Sequence, residues 1–173
     1  MLVTRTSAAL LLLLVPSSAQ GLEVGEKARE FSLKDPYGKV HTLGSFKKRI
    51  FEIWYEGKSS VSQNKWLKDR LRRLRKAGII TKKNYDSIGI ANFMETAIPN
   101  AIIDIFIKIA AKKDDVTVLC DRDGAMQRLY GLRNGRSNIL VFNEKRRLIW
   151  KSSGPLTRRR AKQFIRLIRR ITR

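Results

Sequence analysis

Three places in the sequence hold side chains that could do chemistry. The first is Gly57-Lys58-Ser59-Ser60, just after an apolar run that ends at Tyr55. Gly-Lys-Ser behind a strand is how a phosphate-binding loop ends, but such a loop needs another glycine five positions earlier. Glu52 stands there, and no second acidic strand end offers itself for magnesium, so no nucleotide is expected. A weaker reading survives. A glycine-bearing loop entering a helix presents free N–H groups, and Lys58 adds charge, so Gly57, Lys58, Ser59 and Ser60 form a candidate anion-binding loop. The plain alternative is a helix start capped by serine. The second place is Cys120, the only cysteine. Asp121 and Asp123 follow it, and their negative charge would raise a thiol pKa. A packing cysteine is the simpler reading, and a lone peroxidatic thiol is the alternative. The third is His41, the only histidine, with no Ser or Cys partner nearby in sequence; it reads as a solvated turn or strand residue. One Cys and one His make no internal disulfide and no structural zinc set. No metal and no cofactor are expected.

Charge is the strongest compositional signal. The chain has 37 Lys and Arg against 15 Asp and Glu, a formal net charge of +22. Such a chain is drawn to anionic surfaces, whatever its fold. The expected partners are an acidic protein, an anionic polymer or an anionic membrane surface. The N-terminus explains where it would meet them. Arg5, the apolar run Ala8 to Val15, and the small residues Ser17 and Ala19 make a signal peptide over residues 1–19, cleaved after Ala19. Residues 20–173 are then a single periplasmic or secreted domain.

The rest of the chain supplies the elements that must position these groups. Phe31/Leu33 and Val40/Leu43 flank an Asp-Pro-Tyr-Gly turn and predict a hairpin. Arg49 to Tyr55 predicts a central strand, with Trp54 and Tyr55 in the core. Leu67, Leu71 and Leu74 predict a helix that ends near Gly78, with Ser59, Ser60 or Ser62 as its cap. Ser87 to Phe93 is a second strand. Pro99 opens a helix whose Ile-rich stretch, Ala101 to Ile109, is expected in the core, with Asp104 and Lys108 as its polar stripe. Val116 to Leu119 is a third strand and Ala125 to Leu132 a short helix. Ile139/Val141 and Leu148/Trp150 form a hairpin. Thr157 caps a last helix with Phe164, Ile165, Ile168 and Ile171 on its apolar face. Parallel crossovers followed by a hairpin and a helix imply an α/β fold: a mixed central sheet with helices on both faces.

This order resembles the thioredoxin-like superfamily, a three-layer fold. Within it the chain is similar to the YtfJ family of small periplasmic proteins. The likeness is carried by Gly57-Lys58-Ser59-Ser60, Ala97-Ile98-Pro99, "CDRDG" from Cys120, "SNILVFNEKRRLIW" from Ser137, and Gly154-Pro155-Leu156-Thr157. It implies a fold and a periplasmic address, but no reaction. It also implies that Gly57 to Ser60 stand where a redoxin carries Cys-x-x-Cys. Gly135-Arg136-Ser137-Asn138 then stand where a redoxin has its cis-proline. Dithiol exchange needs two sulfurs, so disulfide oxidoreduction is excluded. In such a fold the helix after the first central strand and the last helix share one face of the sheet. Lys65, Lys68, Arg72, Arg73 and Lys76 of the first would then merge with Arg159, Lys162, Arg166, Arg169 and Arg170 of the last into one basic face. The expected function is binding of an acidic partner through that face. The alternatives are a one-cysteine peroxidase or other thiol enzyme using Cys120, and attachment to an anionic membrane through the C-terminal helix.

Overall fold

The computed structural model describes residues 21–81, 83–114 and 116–172. The expected signal segment, residues 1–19, lies outside the described residues. The elements are β1 (Ser32–Lys34), β2 (Val40–Thr42), β3 (Ile50–Glu56), α1 (Lys65–Lys76), β4 (Tyr85–Asn92), α2 (Asn100–Asp114), β5 (Thr117–Asp121), α3 (Ala125–Tyr130), β6 (Asn138–Phe142), β7 (Leu148–Ser153) and α4 (Arg158–Ile171). One sheet runs in the order β2-β1-β5-β4-β3-β6-β7. β3, β4 and β5 are parallel and the outer pairings antiparallel. This is the mixed sheet that the element order predicts.

Side chains alternate across a strand, so β3 feeds two cores. Phe51, Ile53 and Tyr55 pack with Ile88, Ile90 and Leu119, and with Met126 and Tyr130 of α3. Ile50 and Trp54 face the other way, against Leu67, Leu71 and Leu74 of α1 and Ala161, Phe164 and Ile168 of α4. Trp54 meets Phe164 edge-on, with centroids 6.3 Å apart. α1 and α4 therefore cover the same face. α2 lies there too, because Ile103 and Ile107 pack on Val118 and Cys120 while Leu119 between them faces α3. Covered on both faces, β3 buries even Glu52, whose Oε2 accepts from the hydroxyls of Tyr85 and of Ser87, the latter at 2.6 Å.

α2 corrects one expectation. Its Ile-rich stretch is not core. Ile107 is buried and Ile103 partly so, but Ile102, Ile105, Phe106 and Ile109 are 46%, 57%, 63% and 61% exposed. The helix is apolar nearly all round, so the stripe that meets the sheet leaves an apolar stripe facing out.

Candidate functional site

β3 ends at Glu56, and the chain turns through residues 57–64 before α1 begins. The turn closes on itself. The Gly57 carbonyl accepts from the N–H groups of Ser60 and Val61 at 3.1 and 3.0 Å, and buried Ser60 Oγ accepts from Gly57 N at 2.9 Å. No serine caps α1, contrary to expectation, because Ser60 spends its hydroxyl inside the turn. The cap position is Asn64, whose side chain is also committed elsewhere. Its Nδ2 donates to the Gly154 carbonyl at 3.1 Å and its Oδ1 accepts from Leu156 N at 2.9 Å. That fastens the start of α1 to the segment entering α4.

The turn faces an anion that belongs to the chain itself. Glu95, in a 3-10 turn after β4, brings its carboxylate to Gly57, where a Cβ would collide with it. Glu95 Oε2 accepts from Ser59 Oγ at 2.5 Å. Its Oε1 accepts from Gly135 N at 2.7 Å and from Asn92 Nδ2 at 3.2 Å. The missing Cβ of Gly57 thus makes room for a carboxylate that bridges the loop after β3 to the loop before β6. Lys58 is exposed and, among the described residues, pairs with no carboxylate. Glu95 thus sits at the candidate anion loop, held by Ser59 and Gly135, and Lys58 is not among its partners. The sequence does not mark Glu95, since the partners that bring it to this loop, Ser59 and Gly135, are 36 and 40 residues away. Beside it, Glu56 accepts from Ser137 Oγ at 2.6 Å and pairs with Lys68 Nζ at 2.7 Å. Burial pushes the Glu56 carboxyl above its ordinary range, against the opposing pull of Lys68 and Ser137.

Cys120 lies elsewhere. Its register partner is Ala91 on β4, whose own partner on β3 is Glu56. The cysteine is thus two strands, roughly 10 Å, from the end of β3. It is buried, and its Sγ is 3.9 Å from Asp104 Oδ1 on α2. Burial pushes the thiol up to about 11; Arg122 pulls it down, and Asp104 and Asp35 push it further up. The raised value fits the sequence reading, but the acids responsible are Asp104 and Asp35 rather than Asp121 and Asp123. His41 is half-buried rather than solvated. Its Nε2 is 3.0 Å from Asp35 Oδ2, and its ring stacks on Phe46. Among the described residues no three His, Cys, Asp or Glu side chains gather as a metal set.

The basic residues of the expected face divide into three groups. Lys65 and Arg72 pair with Asp69 at 2.8 Å each, and Lys68 is held by Glu56, so these three serve α1 itself. Arg73 of α1 and Lys162 and Arg166 of α4 instead line an open groove of about 510 Å³ between the two helices. Arg70 and Trp66 line it too, although charge pattern alone did not single them out. Their signal is legible in hindsight: positions 66, 70 and 73 are three and four apart, one stripe of α1. Trp66 is 45% exposed. Among the described residues no side-chain hydrogen bond or ion pair engages Arg70, Arg73, Lys162 or Arg166. Lys76, Arg159, Arg169 and Arg170 are exposed but stand outside the groove.

No family model matches the chain, and no curated protein does. Solved structures do. Peroxidoxin BcpB from Mycobacterium tuberculosis superposes with a TM-score of 0.64 at 15% identity, over 88% of this chain and 99% of that one. The exposed lipoprotein thioredoxin of Streptococcus pneumoniae gives 0.61 at 15%, over 82% and 99%. The thioredoxin domain of a thiol-disulfide oxidoreductase from Bacteroides vulgatus gives 0.60 at 16%, over 85% and 98%. The fold is thioredoxin-like. The turn after β3 holds Gly57, Ser59 and the Glu95 carboxylate.

Proposed function

We propose that this chain is an exported, thioredoxin-like binding protein, akin to the YtfJ family, that takes an anionic partner on its α1–α4 face. The observation that carries the proposal is the groove: four cations whose side chains have no partner among the described residues share its walls with an exposed tryptophan and with Asp69, which Lys65 and Arg72 already engage. Lysine and arginine heads left unpaired on one surface are free to exchange their counterions for a polyanion. The signal-like N-terminus supports export. Dithiol exchange has no second sulfur to use, and the raised pKa and burial of Cys120 weigh against a thiol nucleophile.

The test is binding of a single-stranded oligonucleotide, used as a generic polyanion, over a salt series. Four neutralised phosphates predict a slope of log K against log salt of about −3, a loss of about fifty-fold over a fourfold rise in salt. Replacing Arg70, Arg73, Lys162 and Arg166 together by Gln should abolish binding with little change in Tm. Replacing Arg169 and Arg170 should leave most of it. Salt-independent binding would overturn the proposal.

A further inference from the structure

α4, α1 and α2 lie side by side on one face of the sheet, with α1 in the middle. The basic groove opens between α1 and α4, and an apolar cavity of about 210 Å³ separates α1 from α2. Beyond that cavity α2 turns Ile102, Ile105, Phe106 and Ile109 away from the sheet. These positions follow the i, i+3, i+4, i+7 spacing of a helix stripe. The same layer thus presents unpaired cations on two helices and a row of large apolar side chains on the third. We propose that this layer docks on an anionic lipid bilayer surface, with α2 lying in the interface and its stripe Ile102/Ile105/Phe106/Ile109 buried among the headgroups and upper acyl chains.

Charge chooses the occupant. A second copy would bring another formal +22 against the same face, so self-association through the stripe is opposed. An anionic bilayer answers both halves of the surface at once: headgroups meet the cations and hydrocarbon meets the stripe. No helix among the described residues is long and apolar enough to cross a membrane, so the contact is with the surface. Lys112 is exposed on α2, where its head can reach headgroups as the helix lies flat, while Lys108 lies over the Tyr37 ring, 5.1 Å from its centroid. This inference rests on the anionic-partner reading and names that partner as lipid.

The experiment compares sedimentation with pure phosphatidylcholine vesicles and with vesicles containing phosphatidylglycerol, at low and high salt. It uses wild type, the groove variant with four glutamines, and Ile105→Asp/Phe106→Asp. The oligonucleotide assay runs beside it. Wild type should bind the anionic vesicles only, and keep part of that binding in high salt. The α2 variant should lose at least about tenfold on vesicles, because two large apolar groups no longer leave water. It should still bind the oligonucleotide as wild type does. The groove variant should lose both. Equal vesicle binding by wild type and the α2 variant overturns the inference. So does wild type that binds the oligonucleotide but not the vesicles, which leaves the anionic-partner reading standing. Failure to bind either ligand sinks that reading itself. A wild-type dimer that the α2 substitutions dissociate assigns the stripe to a second copy. If the Asp variant melts early, Ile105→Ser/Phe106→Ser repeats the comparison.

Discussion

A methyl group added at Gly57 would land on the Glu95 carboxylate. The Glu95 side chain can swing aside, so the cost of Gly57→Ala is mainly the loss of its bonds to Ser59 Oγ and Gly135 N. We expect about 1–2 kcal/mol from urea unfolding, and a similar cost for Glu95→Ala. Both changes break the same contacts, so the double variant should cost little more than either single one. Additive costs would show that Gly57 is glycine for some other reason. Glu56 makes a pH prediction. Its folded-state pKa is raised, so just above the ordinary 4.5 the folded chain holds more protons than the unfolded one. Stability contributed by this group therefore falls as pH climbs through that window, and is recovered on acidification. Glu56→Gln should flatten that part of the profile. Cys120, buried with a pKa near 11, should resist iodoacetamide at neutral pH in the native protein and react at once in denaturant. Fast native labelling would favour the thiol-enzyme reading.

Helix positions depend on a few buried polar clamps. Asn64 bonds to Gly154 O and Leu156 N and so sets α1 against α4. Asn64→Ala should cost roughly 2 kcal/mol, since two buried backbone groups lose their partner. It should also weaken oligonucleotide binding, because the groove walls lose registration. Thr157→Ala, which removes the cap bond to Arg160 N at 3.3 Å, should cost about 1 kcal/mol and leave the groove walls in place. The main elements were legible in sequence because their apolar spacing matched one period each: Leu67/Leu71/Leu74 for α1, and alternation along β6 and β7. The outward side of α2 was not legible. With isoleucine at 102, 103, 105, 107 and 109, only Asp104 and Lys108 offer a polar stripe, and it does not mark the solvent side: Asp104 pairs with Arg122 and Lys108 lies over Tyr37. The cap of α1 is not legible because three serines precede it and Ser60 finds a closer donor in its own turn. The Glu95 bridge was invisible because it joins three loops that only the sheet brings together. Trp66 and Arg70 are not legible as groove residues from a charge count, which does not weigh which helical face each residue shares.

At the scale of the whole molecule, charge acts on stability as well as on binding. A formal +22 on 173 residues repels itself, and the compact state holds the charges closer together than the unfolded chain does. Only part of that repulsion is relieved internally, through pairs such as Lys65 and Arg72 with Asp69, Lys68 with Glu56, and Arg122 with Asp104. The groove cations add to it without return. Screening shortens the reach of exposed charges to about 8 Å at physiological ionic strength, so added salt should raise Tm for the protein alone. A bound polyanion should raise it further at low salt, because a ligand at free concentration L that binds only the folded chain stabilises it by RT ln(1 + L/Kd), and Kd is lowest there. The two effects run in opposite directions as salt increases: the first grows while the second fades. Melting curves across a salt series, with and without the oligonucleotide, should therefore converge at high salt from well-separated values at low salt. The groove variant with four glutamines should start higher than wild type without ligand and show no separation with it. Curves that stay parallel across the series would mean the ligand binds through something other than these cations.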